Sequence, residues 1–438
     1  MRKSLYTYLF ERNGVCYLYN TQTNFFSSIS RELFETLYNE DFANLPDDIS
    51  QQLLSKKILV NDDQLYEFYH QCRLNYLSSI GYHDSLNLVI APTTGCNFAC
   101  PYCFEGEKKD RKMDKDVIND LIKFINSYKE TKDLYITWYG GEPLIVFPTM
   151  QEIVGRIHEE CSINLSSQSI ITNGYLINDN VIEFMRINKF SQIQITFDGV
   201  KHHHNETRCL KTNRKPTYDR ILTNVDKLIS TMPESCRISL RININRANES
   251  DFQIMWDFFN KKYGDKRNVS VYPGFIREEG KGNNRMCCSS LFGKSRYHFY
   301  QKLSKKGVNV DFYPQLNSKG CMTCRNNSFV IGPEGELYKC WNDFNHPDRV
   351  VGNIKERAMT NPQLISRYAY DATIYSDSNC KECKFFPICD GGCSWLRYKN
   401  LFEGKDYDLC TFLADDTRLE ECLLKERPSS EVKALKVY

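Results

Sequence analysis

The chain has 438 residues, a formal net charge of +2 and 41% hydrophobic residues, enough for about three domains with cores of their own. A near-neutral balance gives no strong pull towards nucleic acid or a membrane surface. No apolar run reaches spanning length, and the opening Met1-Arg2-Lys3-Ser4-Leu5-Tyr6 lacks a signal-peptide core, so the expectation is a cytoplasmic protein with neither nucleic acid nor membrane as partner. There are 19 cysteines, and that many thiols in a reducing compartment point to metal rather than to disulfides.

Residues 1–84 read as a small separate region. Leu5–Phe10 and Val15–Asn20 are short strands around the turn Arg12-Asn13-Gly14. Ser30 caps a helix with Leu33, Phe34 and Leu37 as its apolar residues. A second helix over Asp47–Leu54, a strand Ile58-Leu59-Val60 and a tyrosine-rich helix Leu65–Tyr76 follow. This predicts a winged-helix-like unit. It resembles the recognition element with which peptide-modifying enzymes hold a leader peptide on an exposed strand edge; the competing reading is a packing subdomain.

From residue 85 to 290 strands and helices alternate, which predicts βα units and a parallel sheet. The strands are Leu86–Ala91, Leu134–Tyr139, Ser169–Thr172, Ile193–Phe197, Ile238–Ile244 and Val269–Tyr272. The helices are Lys115–Lys129, Met150–Cys161, Asp179–Ile187, Tyr218–Ile229 and Ser250–Lys262. The fold class is α/β, a partial (β/α)6 TIM-like barrel, and in such folds chemistry collects at the carboxyl ends of the strands. The distinctive residues fall there. After the first strand, Cys96, Cys100 and Cys103 are spaced C-x3-C-x2-C within Gly95–Phe104. Thiolates on one loop reach adjacent corners of an iron–sulfur cube, which normally takes four; a structural zinc loop is the alternative. After the second strand comes Gly140-Gly141-Glu142-Pro143. Two glycines let backbone approach a ligand closely, and a carboxylate beside them can hold an ammonium group. Thr172-Asn173-Gly174 follows the third strand, with the sequence of a plain turn. Thr196-Phe197-Asp198-Gly199 follows the fourth, with His202-His203-His204 and Arg208 behind it. Three consecutive histidines in a loop point in different directions, which argues against one shared ion. In the fifth strand Arg241, Asn243 and Asn245 share a face, either the barrel interior or a solvated exterior. Gly280-Lys281-Gly282 and Cys287-Cys288 close the region; adjacent cysteines do not easily serve one cluster together.

Tyr297–Ser304 reads as a helix leading into residues 300–425. Cys321-Met322-Thr323-Cys324 precedes a hairpin, Ser328–Ile331 and Glu336–Lys339, that ends at Cys340. Cys380-x2-Cys383-x5-Cys389-x3-Cys393 and Cys410 follow. Two zinc sites in a ribbon are the plainer reading. The tail, 426–438, carries no signal and is expected to be loose.

The cysteine triplet, the Gly-Gly-Glu-Pro stretch, the Asp-Gly pair with its following His and Arg, and the cysteine order from Cys324 to Cys410 resemble the radical S-adenosylmethionine (SAM) enzymes with a SPASM extension, over about residues 86–410. The resemblance implies a [4Fe–4S] cluster on Cys96, Cys100 and Cys103, chelated by SAM, which is cleaved reductively to a 5′-deoxyadenosyl radical. It implies SAM-site residues among Tyr102, Gly140, Gly141, Glu142, Thr196 and Arg208, with Glu142 on the methionine amino group and Arg208 on its carboxylate; Thr172, Asn173, Arg241 and Asn243 are candidates for the same site from their positions at the third and fifth strands. It also implies two auxiliary [4Fe–4S] clusters. Cys380, Cys383, Cys389 and Cys410 would hold the outer one, and Cys324, Cys340 and Cys393 the inner one, with Cys321 as fourth ligand or an open site for substrate. The implied activity is maturation of a ribosomally made peptide that carries a leader. The radical abstracts hydrogen, an electron passes to the auxiliary clusters, and a crosslink, thioether or unsaturated bond results. An electron donor such as flavodoxin or ferredoxin is implied as well. Anaerobic sulfatase maturation, which makes formylglycine, is the alternative. Those enzymes carry an aspartate base where this chain has Trp341, with Asp343 two residues on. A non-catalytic iron–sulfur protein that binds peptide is a third reading, opposed by the intact triplet and Gly-Gly-Glu. Of the remaining cysteines, Cys16, Cys72, Cys161, Cys209, Cys236, Cys287, Cys288 and Cys422, several are expected to be packed thiols.

Overall fold

A computed structural model describes residues 1–103, 110–245, 248–276, 294–308, 310–311, 313–317, 320–356, 358–410, 414–424 and 435–436. Phe104, Gly280-Lys281-Gly282 and Cys287-Cys288 lie outside the described residues. The chain divides into two compact units, one of Met1–Gly81, Phe292–Cys324 and Arg367–Tyr438, the other of Tyr82–Leu291 and Arg325–Ser366.

The first unit begins with β1 (Arg2–Lys3), β2 (Thr7–Arg12), β3 (Val15–Asn20), β4 (Phe25–Ile29), α1 (Arg31–Asn39), α2 (Asp47–Ser55), β5 (Leu59–Val60) and α3 (Glu67–Ile80). β2, β3 and β4 form an antiparallel sheet in that order, and β1 pairs with β5. Ser30 caps α1 as expected, its hydroxyl accepting from the Leu33 N–H at 3.1 Å. Leu18, Leu37, Leu53, Ile58 and Leu59 make the core, the predicted apolar face of α1 closing on the strands. β4 is not foreseen: its residues are half-buried without alternation, and it forms one edge of the sheet.

The second unit holds the six expected strands and their helices: β6 (Ser85–Ile90), α4 (Lys115–Asn126), β7 (Asp133–Trp138), α5 (Phe147–Glu160), β8 (Asn164–Thr172), α6 (Asp179–Ile187), β9 (Phe190–Phe197), α7 (Lys201–Thr207), α8 (Tyr218–Thr231), β10 (Arg237–Ile244), α9 (Asp251–Tyr263) and β11 (Val269–Phe275). Each strand pairs in parallel with the next. The helices bury the stripes their sequence predicts, as in α8, where Tyr218, Ile221, Val225, Leu228 and Ile229 recur at helical spacing. β6 to β11 are rich in fully buried residues because helices cover the sheet.

Later elements are shared between the units. α10 (Lys294–Lys305) and β12 (Val310–Asp311) belong to the first. β13 (Ser328–Ile331), β14 (Glu336–Tyr338), β15 (Gly352–Asn353), β16 (Ala358–Met359) and α11 (Pro362–Ser366) belong to the second. The expected hairpin forms, and β13 pairs in parallel with β6, so that it widens the barrel sheet to 10 strands ordered β11-β10-β9-β8-β7-β6-β13-β14-β15-β16. α12 (Ser378–Lys381), α13 (Ser394–Glu403), α14 (Asp416–Leu424) and β17 (Leu435–Lys436) complete the first unit. β17, in the tail expected to be loose, pairs with β12. Among the described residues no helix is long and apolar enough to cross a membrane.

Candidate active site

The candidate site lies where β6 to β10 end. The chain leaves β6 through Pro92-Thr93-Thr94-Gly95 into the cysteine loop. Thr93 Oγ1 accepts from Gly95 N–H at 2.9 Å and donates to Arg111 O at 2.6 Å. Thr94 Oγ1 accepts from Arg111 N–H at 3.0 Å. The Arg111 guanidinium then donates to Glu334, Glu336 and Asn345 at 2.6, 2.9 and 2.5 Å. The entrance of the loop is therefore pinned on both sides.

Gly140 and Gly141 lie against the same segment. Gly141 N–H donates to Thr93 O at 3.1 Å and Glu142 N–H to Gly95 O at 2.9 Å. Gly140 has φ +103°, and a Cβ on Gly141 would fall on the backbone oxygens of Thr94 and Gly95. Only glycine permits both features. Glu142, 1% exposed, spends its carboxylate inside the fold. Oε1 accepts from Leu144 N–H at 3.1 Å and from the Thr172 hydroxyl at 2.7 Å, and Oε2 accepts from Asn173 N–H at 2.7 Å. Burial raises its pKa despite these donors. Glu142 thus ties the β7 end to the β8 end. Asn173, held this way, donates from Nδ2 to Asn97 Oδ1 in the cysteine loop at 2.7 Å.

Tyr102, Asp198, Arg208 and Asn243 meet in one buried network. The Tyr102 hydroxyl donates to Asp198 Oδ2 and accepts from Arg208 Nη1 at 3.1 Å and Asn243 Nδ2 at 3.3 Å. Thr207 Oγ1 donates to the same Asp198 oxygen at 2.6 Å, and Arg208 is ion-paired to Asp198 Oδ1 at 3.8 Å. Arg241 Nε donates to Asn243 Oδ1 at 2.9 Å. Asn243 and Asn245 are buried, which favours the interior reading of that strand face. Thr196, also buried, stands in register beside Arg241. The sequence marks Asp198 only as part of a pattern; the structure makes it the hub of this network.

The histidine triplet sits on helix α7 rather than in a loop; the His202 and His203 rings lie 4.0 Å apart, while His204 is buried. His203 Nδ1 meets Asp251 Oδ2 at 2.6 Å. His204 Nδ1 accepts from Asp198 N–H at 3.3 Å. Thr217 spends its proton on Arg208 O, so His204 Nε2, 3.1 Å from Thr217 Oγ1, is the donor there. His204 is therefore neutral, and burial, with the nearby Arg208 charge, holds its pKa well below the usual value. Below the ordinary pKa of about 6.5 the unfolded chain takes up a proton that the folded chain refuses. Stability then falls with falling pH by up to ~1.4 kcal/mol per unit until the folded pKa is reached. Urea unfolding at pH 6.5 and 5.5 should show this loss, and His204→Gln should lack that component.

Burial pushes the Cys100 thiol up to about 12, with Arg208 pulling it down and Asp198, Cys96 and Cys103 pushing further. The three thiols therefore feel one another, and an iron cluster would stabilise their thiolates. Arg208 Nε, Asp198 Oδ1 and Asn97 Nδ2 are buried without a hydrogen-bond partner. Two donors and an acceptor beside a thiol triplet fit a [4Fe–4S] cluster with the amino-acid end of SAM. Among the described residues no three His, Cys, Asp or Glu side chains converge on a single ion.

In the first unit, Cys380 and Cys383 lie on and just after α12, Cys389 follows a short turn at Phe386–Ile388, and Cys393 caps α13. Burial pushes Cys380 up to about 12, with Cys389 and Cys383 contributing. Burial also raises Cys410, which feels Cys389 and Cys383. The four cysteines expected at the outer cluster thus neighbour one another. Cys321 is exposed and Cys324 buried in the same unit. Cys340 is buried after β14 in the second unit, and Asp343 is fully buried there. Cys16, Cys209, Cys236 and Cys422 are buried thiols, as expected, while Cys72 and Cys161 are half-buried.

Residues 90–258 match the radical SAM superfamily. This part of the chain is a radical SAM domain, a domain that implies a [4Fe–4S] cluster with SAM and an enzyme that uses SAM radical chemistry. The chain is 26% identical to the cysteine-type anaerobic sulfatase-maturating enzyme of Clostridium novyi over 73% of its own length and 91% of that protein. Its fold is similar to native anSMEcpe with bound AdoMet and Kp18Cys peptide, at TM-score 0.58 and 21% identity, over 77% of this chain and 96% of that one. It is also similar to Streptococcus suis SuiB bound to precursor peptide SuiA, at TM-score 0.52 and 15% identity, over 92% of this chain and 97% of that one. The protein is thus related to sulfatase-maturating enzymes, and it shares its fold with SuiB.

Proposed function

We propose that the protein is a radical SAM maturase acting on a peptide segment of a ribosomally made substrate. The carrying observation is the buried Tyr102–Asp198–Arg208–Asn243 network directly beside the Cys96–Cys100–Cys103 loop. When bound, the cluster with SAM supplies a 5′-deoxyadenosyl radical that takes a hydrogen atom from the peptide, and auxiliary clusters supply a route for the released electron. Cys96, Cys100 and Cys103 would hold the first cluster. Arg208, kept charged by Asp198, would receive the SAM carboxylate, and the close-packed Gly140-Gly141 backbone would line the same end. Thr196, Arg241 and Asn243 would complete the lining on the β9 and β10 side. Burial of these groups keeps water from the reacting carbon. Cys380, Cys383, Cys389 and Cys410 would hold one auxiliary cluster, and Cys321, Cys324, Cys340 and Cys393 are the candidates for a second. A flavodoxin- or ferredoxin-type donor would supply electrons.

Two readings of the substrate are equally supported. In one, the N-terminal sheet takes a leader peptide along the edge strand β4 by β-augmentation. The SuiB likeness, which covers 92% of this chain, supports it at the level of fold. In the other, the substrate is a sulfatase and the product formylglycine, supported by the identity across 91% of the Clostridium novyi enzyme. Anaerobic incubation with SAM and a strong reductant separates them by mass. Loss of two hydrogens per site from the leader-bearing peptide encoded nearest this gene supports the first. Formylglycine in a sulfatase-derived Cys or Ser peptide supports the second. An unchanged mass in both peptides, with SAM still cleaved, would exclude both.

A further inference from the structure

Helix α3 of the first unit runs past both groups of cysteines in that unit. Tyr69, 3% exposed, packs with Tyr6, Ile374 and Phe386 in a cluster edged by Cys380, Cys383 and Cys389. Seven residues on, about two turns further along the same face, Tyr76 packs with Ile80 and Cys324. The Tyr375 ring joins the two clusters, 5.8 Å from Tyr69 and 4.9 Å from Tyr76. The Tyr69 hydroxyl donates to Tyr375 O at 3.1 Å, and the Tyr76 hydroxyl to Ala369 O at 2.7 Å.

The Tyr76 hydroxyl is also within hydrogen-bonding reach of the Cys324 side chain, and Cys321 lies near it. As a thiol, Cys324 donates to Cys321 O at 2.8 Å. As a thiolate ligand it has no proton to give and can only accept. A phenol hydrogen rotates about its C–O bond, so it can turn from Ala369 O to the sulfur with the ring fixed. A tyrosine phenol carries its proton at neutral pH and so has a hydrogen to donate.

We propose that Tyr76 is a positioning residue for an auxiliary cluster: its hydroxyl donates to the Cys324 sulfur and raises that cluster's reduction potential. Hydrogen bonds to ligand sulfurs and other outer partners are established levers on potential. The N-terminal segment then has a redox role besides any contact with a leader. The inference rests on the proposed reading of Cys324 as a cluster ligand.

The test uses the anaerobically reconstituted full chain. Tyr76→Phe removes one oxygen atom. The variant should hold as much iron as the parent, with the midpoint potential of one auxiliary cluster shifted to more negative values in an EPR-monitored titration. In D2O the parent should show an exchangeable deuteron coupled to that reduced cluster, and the variant should lose it. An unshifted potential with the coupling intact overturns the proposal, as does a parent without such a coupling, a measurement that stands even if the variant does not fold. Cys324→Ala tests the premise separately: unchanged iron content would remove Cys324 as a ligand, whatever Tyr76 does.

Discussion

Cys100→Ala stops the formation of 5′-deoxyadenosine from SAM, down to the level seen without enzyme, while the iron of the proposed C-terminal clusters stays. This is the expected result with the largest effect on activity. Cys100 sits at the centre of the triplet, and its buried thiol feels Cys96, Cys103, Arg208 and Asp198. Alanine leaves two thiols on the loop where a cluster needs three from the protein. The loop itself should keep its course, because Thr93, Thr94 and Gly141 pin its entrance through backbone hydrogen bonds that do not involve the sulfur. Chromatography of the reaction mixture, beside iron analysis of the variant, checks both halves. Full cleavage in the variant would remove the triplet as the SAM-binding cluster.

Arg208→Ala should destabilise the second unit by about 3–5 kcal/mol, the usual cost of stripping one partner from a buried ion pair. Asp198 is 1% exposed and Arg208 7%. Without the guanidinium, the Asp198 carboxylate keeps only neutral side-chain donors, Tyr102 and Thr207. Burial works against the Arg208 charge, and Tyr102, Cys100 and Asp198 outweigh it, so the charge is native and its loss is felt in full. Denaturant unfolding of the two proteins checks the figure. The double variant Asp198→Asn with Arg208→Met should be less destabilised than Arg208→Ala, since it leaves no buried charge. A single variant within about 1 kcal/mol of the parent would contradict the network, because a buried carboxylate without its cation costs more than that.

Where local chemistry decides the structure, the sequence is legible. Val15–Asn20 and Asp179–Ile187 take the predicted elements residue for residue, since a short apolar and aromatic run behind the Arg12-Asn13-Gly14 turn in one and helical spacing behind an Asn cap in the other leave little choice. The six parallel strands are legible for the same reason, their buried runs separated by amphipathic helices. β4 is not legible, because a short half-exposed edge strand has no pattern to distinguish it from a loop. The pairing of β13 with β6 joins residues far apart in sequence, which no local signal encodes. At the site, the residue types and their strand-end positions were readable, while their partners were not. Glu142 looks in sequence like an acceptor for an ammonium group, and its bonds from Leu144, Thr172 and Asn173 are partners the sequence does not show. Asp198 enters the sequence only within the Asp-Gly pair and Tyr76 carries no motif, so the roles of both emerge from what folds against them.

The most direct test follows a hydrogen atom. The substrate peptide is prepared with deuterium in place of its carbon-bound hydrogens and incubated anaerobically with enzyme, SAM and reductant, and the 5′-deoxyadenosine is weighed by mass spectrometry. The account predicts deoxyadenosine carrying one deuterium for each modified peptide, since the hydrogen leaves a peptide carbon for the SAM-derived radical. Modified peptide accompanied only by unlabelled deoxyadenosine would contradict it.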